Sequence, residues 1–150
     1  MAVFASTAKV QGTPLLDLIG TPKLTAAQWE DIKQKTVQGG SNIIKLRGRS
    51  SFQSPAYVSV KMIEAAMGGE EFAWPAGRYV SFAGIDHIMM AMEVSITEKG
   101  SAYEEVVGTA EEMAALKKSY DHLVKMREEV IALGVLPPVE KWNEINPNLK

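Results

Sequence analysis

The stretch that decides the fold runs from Leu46 to Gly69 and reads LRGRSSFQSPAYVSVKMIEAAMGG. Its second half predicts a helix, since Ser54 is a favoured N-cap residue and Pro55 suits the first helical position, where its missing N–H costs nothing. From Ala56 to Met67 the only polar residues are Ser59, Lys61 and Glu64. A helix that is apolar on nearly every side is typical of a protein interior, so we expect this one to be buried.

The first half of the stretch is a polar turn with the chemistry of an anion site. A helix directs its free N–H groups and the positive end of its dipole at whatever precedes it, which suits a carboxylate or a phosphate. An arginine fork can hold a carboxylate at two points. The turn offers both kinds of group, in Arg47, Arg49, Ser50, Ser51, Gln53 and Ser54. The residues alone leave open a plainer interpretation, a well-capped helix that follows a solvated turn.

The elements before this stretch are predicted from turn and capping signals. In STAKVQGTPL, Gln11-Gly12 predicts a two-residue hairpin turn. Thr25 and Gln28 have the spacing of a capping box and open a helix. We expect the pair Gly39-Gly40 to break or kink this helix.

The elements after the stretch mix strands with one long helix. GRYVSF and HIMMAMEVSIT predict strands, the second because apolar residues alternate with polar ones. EKGSAYEE is polar and predicts a solvated loop, and Thr109 and Glu112 repeat the capping-box spacing before a long helix. The fold class is therefore α+β, with short antiparallel strands and hairpins packed with long helices, and residues 1–150 are expected to form a single domain.

Composition excludes several classes of function. The chain has 150 residues, a net charge of −2 with both signs dispersed, and no cysteine. Dispersed charge gives no footprint for nucleic acid, no apolar run approaches the ~20 residues of a membrane span, and no signal peptide is recognised. The absence of cysteine excludes disulfides and thiolate zinc sites and fits a cytoplasmic protein. His87 and His122 have no partner at metal-ligand spacing, so structural or surface roles are expected, and no metal site is predicted.

Two segments of the chain resemble a known family. STAKVQGTPLLDLIG and VQGGSNIIKLRGRSSFQSPAYVSVKMIEAAMGG are similar to the C-terminal, substrate-binding domain of the lactate/malate dehydrogenase family, in its NAD-dependent malate branch. The hairpin, the Gly-Gly pair, the serine-bearing loop and the apolar helix follow the family's order and spacing from about Val3 to Gly68. The resemblance is looser through the strands and the last helix.

The resemblance implies site residues as well as missing parts. Ser50 and Ser51 would line the substrate pocket, and Ser54 and Pro55 would approach the nicotinamide of NAD, although the family's malate enzymes usually have methionine where Pro55 stands. Arg47, like Arg49, would serve the loop or a subunit contact. The NAD-binding Rossmann domain, the substrate-clasping arginines and the proton-relay histidine, in a His-Gly motif a few residues before the first residue, would lie upstream. No catalytic residue is therefore expected in this chain.

The function that the resemblance implies is the reversible NAD-dependent oxidation of malate to oxaloacetate in the tricarboxylic acid cycle. The implied partners are malate or oxaloacetate, the protein's own NAD-binding domain and other copies of the subunit, and the chain alone is expected to be inactive. Two alternatives stay open: a domain of a lactate or other 2-hydroxy-acid dehydrogenase, and a non-enzymatic helical module that dimerises. A related glycosidase chemistry uses a metal held by cysteine and histidine, which the absence of cysteine disfavours.

Overall fold

The structure, a computed structural model, describes residues 2–149. It divides into two compact units. The first unit contains the residues up to Ser59 together with Gly108–Ala115, and the second contains Val60–Val107 and the residues from Leu116 onward. The mixture of helices with small antiparallel sheets confirms the predicted α+β class.

The first unit opens with the predicted hairpin. Strands β1 (Lys9–Val10) and β2 (Thr13–Pro14) pair in antiparallel register around Gln11-Gly12. Both turn residues have positive φ, 50° and 83°. A two-residue turn of this kind matches the twist of the paired strands and needs a residue such as glycine that tolerates positive φ. The hairpin prediction is confirmed.

Two helices follow, a short α1 (Leu15–Leu18) and a long α2 (Ala26–Arg47). The predicted capping box starts α2: Thr25 Oγ1 accepts from the Gln28 N–H at 3.2 Å, and the Thr25 N–H donates to Gln28 Oε1 at 2.9 Å. The predicted break at Gly39-Gly40 is wrong, because α2 is one uninterrupted helix of 22 residues. A helical glycine costs about 1 kcal/mol relative to alanine, too little to break a helix that is continuous on both sides.

The second unit is built on a three-stranded antiparallel sheet in the order β3 (Phe72–Phe82), β4 (Ile85–Thr97) and β5 (Gly100–Tyr103). The sequence predicted residues 77–82 of β3 and residues 87–97 of β4, and it missed the start of β3 at Phe72. The third strand lies in EKGSAYEE, where the prediction of a solvated loop is wrong: Val94 to Thr97 pair with Tyr103 to Gly100. Because β5 is a short and mostly exposed edge strand, its sequence has no apolar alternation to reveal it.

The helices that complete the chain are α3 (Gln53–Ala66), α4 (Ala110–Ala132), a 3₁₀ turn at Val139–Lys141 and α5 (Trp142–Ile145). The two longer ones, α3 and α4, each begin in the first unit and end in the second. The predicted capping box of α4 is present, since the Thr109 N–H donates to Glu112 Oε2 at 2.8 Å and Thr109 Oγ1 accepts from the Glu112 N–H at 3.3 Å.

Buried apolar side chains are concentrated in the second unit. Alternate residues of β4 lie buried, and the most deeply buried large side chains are Val80 and Met92, 1% and 2% exposed. Among residues 2–149, the buried apolar residues of the second unit are Ala65, Phe72, Val80, Phe82, Ile85, Ile88, Met90, Met92, Val94 and Leu116. The first unit contributes Ala5. The first unit therefore has little core of its own.

The prediction that α3 is buried is wrong for this chain. Ala65 is its one buried residue within the described structure, and the side chains of Tyr57 and Ile63 are 56% and 58% exposed. Ser59, which was expected inside a buried helix, is exposed as well. The apolar composition of α3 predicted that its side chains are buried by neighbouring residues, but residues 2–149 leave most of them exposed. No helix within residues 2–149 combines the length and hydropathy that a membrane crossing requires.

Candidate functional site

The candidate site is the segment between α2 and α3, Gly48–Phe52, which we call the site loop. It begins where α2 ends, at Gly48, whose φ of 69° is left-handed and whose N–H donates to the Ile44 carbonyl at 2.8 Å. Glycine adopts this conformation without the steric cost that a Cβ would bring. The chain therefore turns sharply out of one helix and reaches the next after only four more residues.

Helix α3 begins one residue before the predicted cap. The Ala56 N–H donates to the Phe52 carbonyl at 3.1 Å, and the helix starts at Gln53, so Ser54 lies in the first turn and is not the N-cap. Pro55 also lies in that turn, and its lack of an N–H leaves no bond unmade there. The N–H groups of Gln53 and Ser54 precede the first intrahelical bond and lie at the positive end of the helix dipole.

The structure brings together two of the four predicted site residues. Ser51 Oγ and Ser54 Oγ lie 3.3 Å apart, within hydrogen-bonding distance, across the start of α3. Ser50 and Pro55 are exposed to either side of this pair. The Ser50 hydroxyl has no hydrogen-bond partner among residues 2–149, so its capacity to donate and accept is available to a ligand.

The two arginines of this segment contact residues within the site loop and at the start of α3. Arg47 Nη1 donates to Gln53 Oε1 at 2.8 Å, which ties the end of α2 to the start of α3. The guanidinium carbons of Arg47 and Arg49 lie 5.8 and 4.9 Å from the centroid of the Phe52 ring, in the range of cation–π contacts. Arg47 therefore serves the loop, as the sequence suggested, and Arg49 stacks on the same ring.

The charge next to the site loop is positive, from Lys45, Arg47 and Arg49. The other three cations between residues 32 and 63 each pair with a carboxylate: Lys33 with Glu30, Lys35 with Asp31 and Lys61 with Glu64, at 3.6, 2.7 and 2.7 Å. Clustered positive charge raises the local concentration of anions. The site loop thus combines the Ser50 hydroxyl, a helix N-terminus and the charge of three neighbouring cations, which together suit a small carboxylate.

Sequence reasoning missed a second polar cluster, centred on Glu112. One carboxylate oxygen accepts from the N–H groups of Ala5 and Ser6 at 2.6 and 3.0 Å, and the other accepts from Ser6 Oγ at 2.6 Å and from the Thr109 N–H. Burial alone would raise the pKa of the Glu112 carboxyl, but the hydrogen bonds from Ser6, Thr109 and Ala5 lower it to about 2. The capping-box spacing located the glutamate, whereas nothing local in the sequence indicated its partners near residue 5.

The two histidines lie in the second unit. His87 Nδ1 lies 2.6 Å from the Tyr79 hydroxyl, its backbone has a φ of 52°, and its carbonyl accepts from Arg127 Nη1 at 2.8 Å. His122 is exposed on α4. Within residues 2–149 no group of three His, Asp or Glu side chains is arranged to hold a metal ion. His87 Nε2 also lies 3.3 Å from Asp86 Oδ2. The structural role expected for His87 from the sequence stays a prediction.

Comparison with known protein families decides the class of the chain. Residues 1–133 match the family model described as the lactate/malate dehydrogenase, alpha/beta C-terminal domain. The chain belongs to the lactate/malate dehydrogenase family. Among curated relatives, malate dehydrogenase of Pelagibacter ubique is 34% identical over 94 residues, which are 61% of this chain and 29% of the relative. Malate dehydrogenase 1 of Aquifex aeolicus is 28% identical over 144 residues, 91% of this chain and 40% of the relative.

Solved structures of this family have the same fold. Malate dehydrogenase from Salinibacter ruber superposes with a TM-score of 0.72 at 25% identity, over 89% of this chain and 44% of that one. Malate dehydrogenase from Plasmodium falciparum in complex with NADH gives a TM-score of 0.76 at 22% identity, over 88% of this chain and 44% of the other. The chain therefore spans less than half the length of these relatives, and the matches confirm the predicted C-terminal-domain fold.

Proposed function

We propose that this chain is the substrate-binding domain of an NAD-dependent malate dehydrogenase, which interconverts malate and oxaloacetate in the tricarboxylic acid cycle of the cytoplasm. The observation that carries the proposal is the family match over residues 1–133, in a chain whose curated relatives are named malate dehydrogenase. In this proposal a Rossmann domain that binds NAD precedes the chain, and the proton-relay histidine and the substrate-clasping arginines also lie upstream. This domain supplies one wall of the active site.

The site loop supports a dicarboxylate as the substrate. Ser50 has an unused hydroxyl, and Ser51 lies beside the N-terminus of α3, a few residues from Lys45, Arg47 and Arg49 in the sequence. A substrate carboxylate that accepts hydrogen bonds here gains from the dipole and from the charge at once. In the proposed enzyme these two serines line the pocket, which fixes the orientation of the substrate and excludes water from it.

The residues at the start of α3 fit an edge contact with the nicotinamide of NAD. Ser54 is exposed and can offer one hydroxyl, whereas Pro55 has no N–H and can offer only van der Waals contact. No G-x-G-x-x-G turn for the pyrophosphate occurs in this sequence. When bound, NAD accepts the hydride that leaves C2 of malate, and the part of this chain is to hold the substrate and one side of the nicotinamide in place.

Exposed apolar surface supports the proposed partners, which are the protein's own NAD-binding domain and other copies of the subunit. Several apolar side chains of the first unit and of α3 are close to half exposed or more, although proteins seldom leave large contiguous apolar surface in water. Those with the largest exposed fractions are Leu46, Phe52, Tyr57, Val60 and Ile63, and Met67 is exposed directly after α3. A domain and a subunit that pack on these residues would supply the cover that α3 lacks.

The experiment compares Ser50→Leu with Ser59→Ala in the full-length protein. Leucine at position 50 removes a donor and places an apolar group against a charged substrate, at a cost of roughly 1–3 kcal/mol, so kcat/KM for oxaloacetate should fall about 5- to 150-fold. Ser59 lies on α3 five residues beyond Ser54, about 140° around the helix axis, and its replacement should leave the kinetics unchanged. Melting temperatures confirm that both variants fold.

The outcomes of this experiment separate the alternatives. If the Ser50→Leu variant folds and reacts at the wild-type rate, the site loop does not line the substrate pocket. Faster reduction of pyruvate than of oxaloacetate by the wild-type protein would assign a lactate dehydrogenase. Absence of turnover with any 2-oxo acid and NADH would favour a module that only dimerises, and size-exclusion chromatography would test that directly.

A further inference from the structure

Residues 136–149 pack against strands β3 and β4 and enclose with them a cavity of about 310 Å³, which we call the tail pocket. These residues lie beyond residues 1–133, the part of the chain that matches the lactate/malate dehydrogenase family. All the lining residues belong to the second unit. They include Tyr79, Met89, Leu136, Trp142, Ile145 and Leu149. One side of the tail pocket is therefore built from residues outside the family match.

Trp142 forms one wall of the tail pocket and is held on two sides. Its Nε1–H donates to the Pro137 carbonyl at 2.8 Å, and its ring meets the His87 ring edge-on, with centroids 6.4 Å apart. His87 is itself fixed, since its Nδ1 lies 2.6 Å from the Tyr79 hydroxyl and its carbonyl accepts from Arg127 Nη1 at 2.8 Å. These contacts set the wall before a ligand arrives, and a pre-formed wall lowers the entropy cost of binding.

The lining of the tail pocket selects against charge. None of the eight residues that form it is acidic or basic, and its polar side chains are those of Tyr79 and Asn146. Asn146 Oδ1 accepts from the Asn148 N–H at 3.1 Å, whereas the Asn146 NH₂ group has no partner among residues 2–149 and can donate to a ligand oxygen. An ionised ligand would lose its hydration here without meeting an opposite charge, so the lining suits an uncharged molecule.

The size and the rim of the tail pocket favour a small molecule over a protein surface. A volume of about 310 Å³ lies at the lower end of small-molecule sites and equals that of roughly ten waters. Within residues 140–148, the residues that do not line the pocket are polar, apart from one proline, and exposed. The polar ones are Glu140, Lys141, Asn143, Glu144 and Asn148. A specific protein interface needs roughly 1,000 Å² of buried surface, and the tail side of this pocket is bordered by polar groups instead.

We propose that the tail pocket binds an uncharged aromatic molecule of one or two rings that carries a hydrogen-bond acceptor. The rings of Tyr79 and Trp142 favour aromatic contacts, and the flexible Met89 side chain can adapt to the shape of the ligand. The Asn146 NH₂ group supplies the donor for the acceptor. This inference stands on the geometry of the second unit and does not depend on the proposed function.

The test is ligand-observed NMR of the full-length protein, with 2-naphthol as the neutral probe and 2-naphthoate as its charged counterpart. A molecule of about eleven non-hydrogen atoms with ordinary ligand efficiency should bind with a Kd of roughly 0.1–1 mM. The naphthoate has the same rings but a negative charge, so its Kd should be at least about 10-fold higher.

Ile145→Glu is the blocking variant, and Leu133→Glu is its matched control. Ile145 lines the pocket and is 66% exposed, whereas Leu133 is 77% exposed and lies outside the lining, so neither change disturbs the core. Ile145→Glu places a charge in the wall and should raise the Kd of 2-naphthol about 10-fold or more, and Leu133→Glu should leave it unchanged. Asn146→Ala removes the donor and should raise that Kd about 2- to 10-fold.

Three results would overturn the proposal. The same Kd for 2-naphthol in the wild type and in Ile145→Glu would place the probe elsewhere on the protein. Equal affinity for 2-naphthol and 2-naphthoate would show that the lining does not select an uncharged ligand. A wild-type protein that binds no 2-naphthol at millimolar concentration, but whose oligomer dissociates in Ile145→Glu on size-exclusion chromatography, would assign the pocket to a second copy of the chain. None of these measurements involves turnover, so the proposed function is tested separately.

Discussion

The acid stability of the first unit should depend on Glu112 more than on any neighbouring carboxylate. Its pKa falls from 4.5 to about 2 when the hydrogen bonds of Ser6, Thr109 and Ala5 outweigh the cost of burial. At about 1.4 kcal/mol for each pH unit, that difference corresponds to roughly 3 kcal/mol, and partial exposure of the side chain reduces the expected contribution to about 2 kcal/mol.

The sign of the effect follows from the direction of the change. A carboxyl whose pKa is lower in the folded state stabilises the protein fully above pH 4.5, its value in the unfolded chain, and this contribution is lost as the pH falls toward 2. Glu112→Gln should therefore be about 2 kcal/mol less stable than wild type at pH 7. The two proteins should converge between pH 4.5 and pH 2, because the wild-type carboxyl becomes neutral there as well.

Urea unfolding at a series of pH values, followed by circular dichroism, measures this difference. Glu111→Gln is the control, and a surface change of this kind should alter the free energy of unfolding by less than about 0.5 kcal/mol at every pH. A Glu112→Gln difference that is equally large at pH 7 and pH 2.5 would show that the glutamine disturbs packing, not charge. A difference below about 0.5 kcal/mol at pH 7 would show that the hydrogen bonds from Ala5, Ser6 and Thr109 to Glu112 contribute little.

Three other predictions follow from packing and exposure. Gly108→Ala should cost about 1–3 kcal/mol in the free energy of unfolding, because its Cβ would overlap the Phe4 ring, and Phe4→Leu in the same protein should recover part of that loss. Met92→Ala should cost about 2–5 kcal/mol because Met92 is fully buried, while Met89→Ala, at a residue 59% exposed on the same strand, should cost less than about 0.5 kcal/mol; a similar loss in both would contradict the assigned faces of β4. His122→Gln should leave the pH–rate profile of oxaloacetate reduction by the full-length protein unchanged, since His122 is exposed on α4, and loss of the basic limb would identify it as the proton donor of that reaction.

The sequence by itself was sufficient where structure depends on neighbours a few residues away. The Gln11-Gly12 turn needs two residues that tolerate positive φ, and both capping boxes need a side chain and a backbone group three residues apart. The alternation of apolar and polar residues predicted the strand β4, in which Ile88, Met90, Met92 and Val94 are buried. These features are confirmed because the interactions that cause them close within a single turn or along a single strand.

Sequence signals failed where two local tendencies compete or where a pattern is too short. Gly39-Gly40 favours a break, but the helical residues on both sides keep α2 continuous. The start of α3 was misplaced because Ser54 and Pro55 satisfy the rules for an N-cap and its successor, yet the Phe52 carbonyl accepts the first helical bond. The strand β5 exists only because β4 lies beside it, and a four-residue edge strand carries little pattern of its own.

Tertiary structure alone decided which groups meet across long separations and which surfaces stay open. The capping spacing shows that Glu112 begins a helix, but only the fold brings its carboxylate to Ser6. The apolar composition of α3 shows that it requires a cover, but only the packed chain shows that the described residues leave it exposed. Hydrogen bonding and burial at this range depend on the path of the whole chain, which no local propensity encodes.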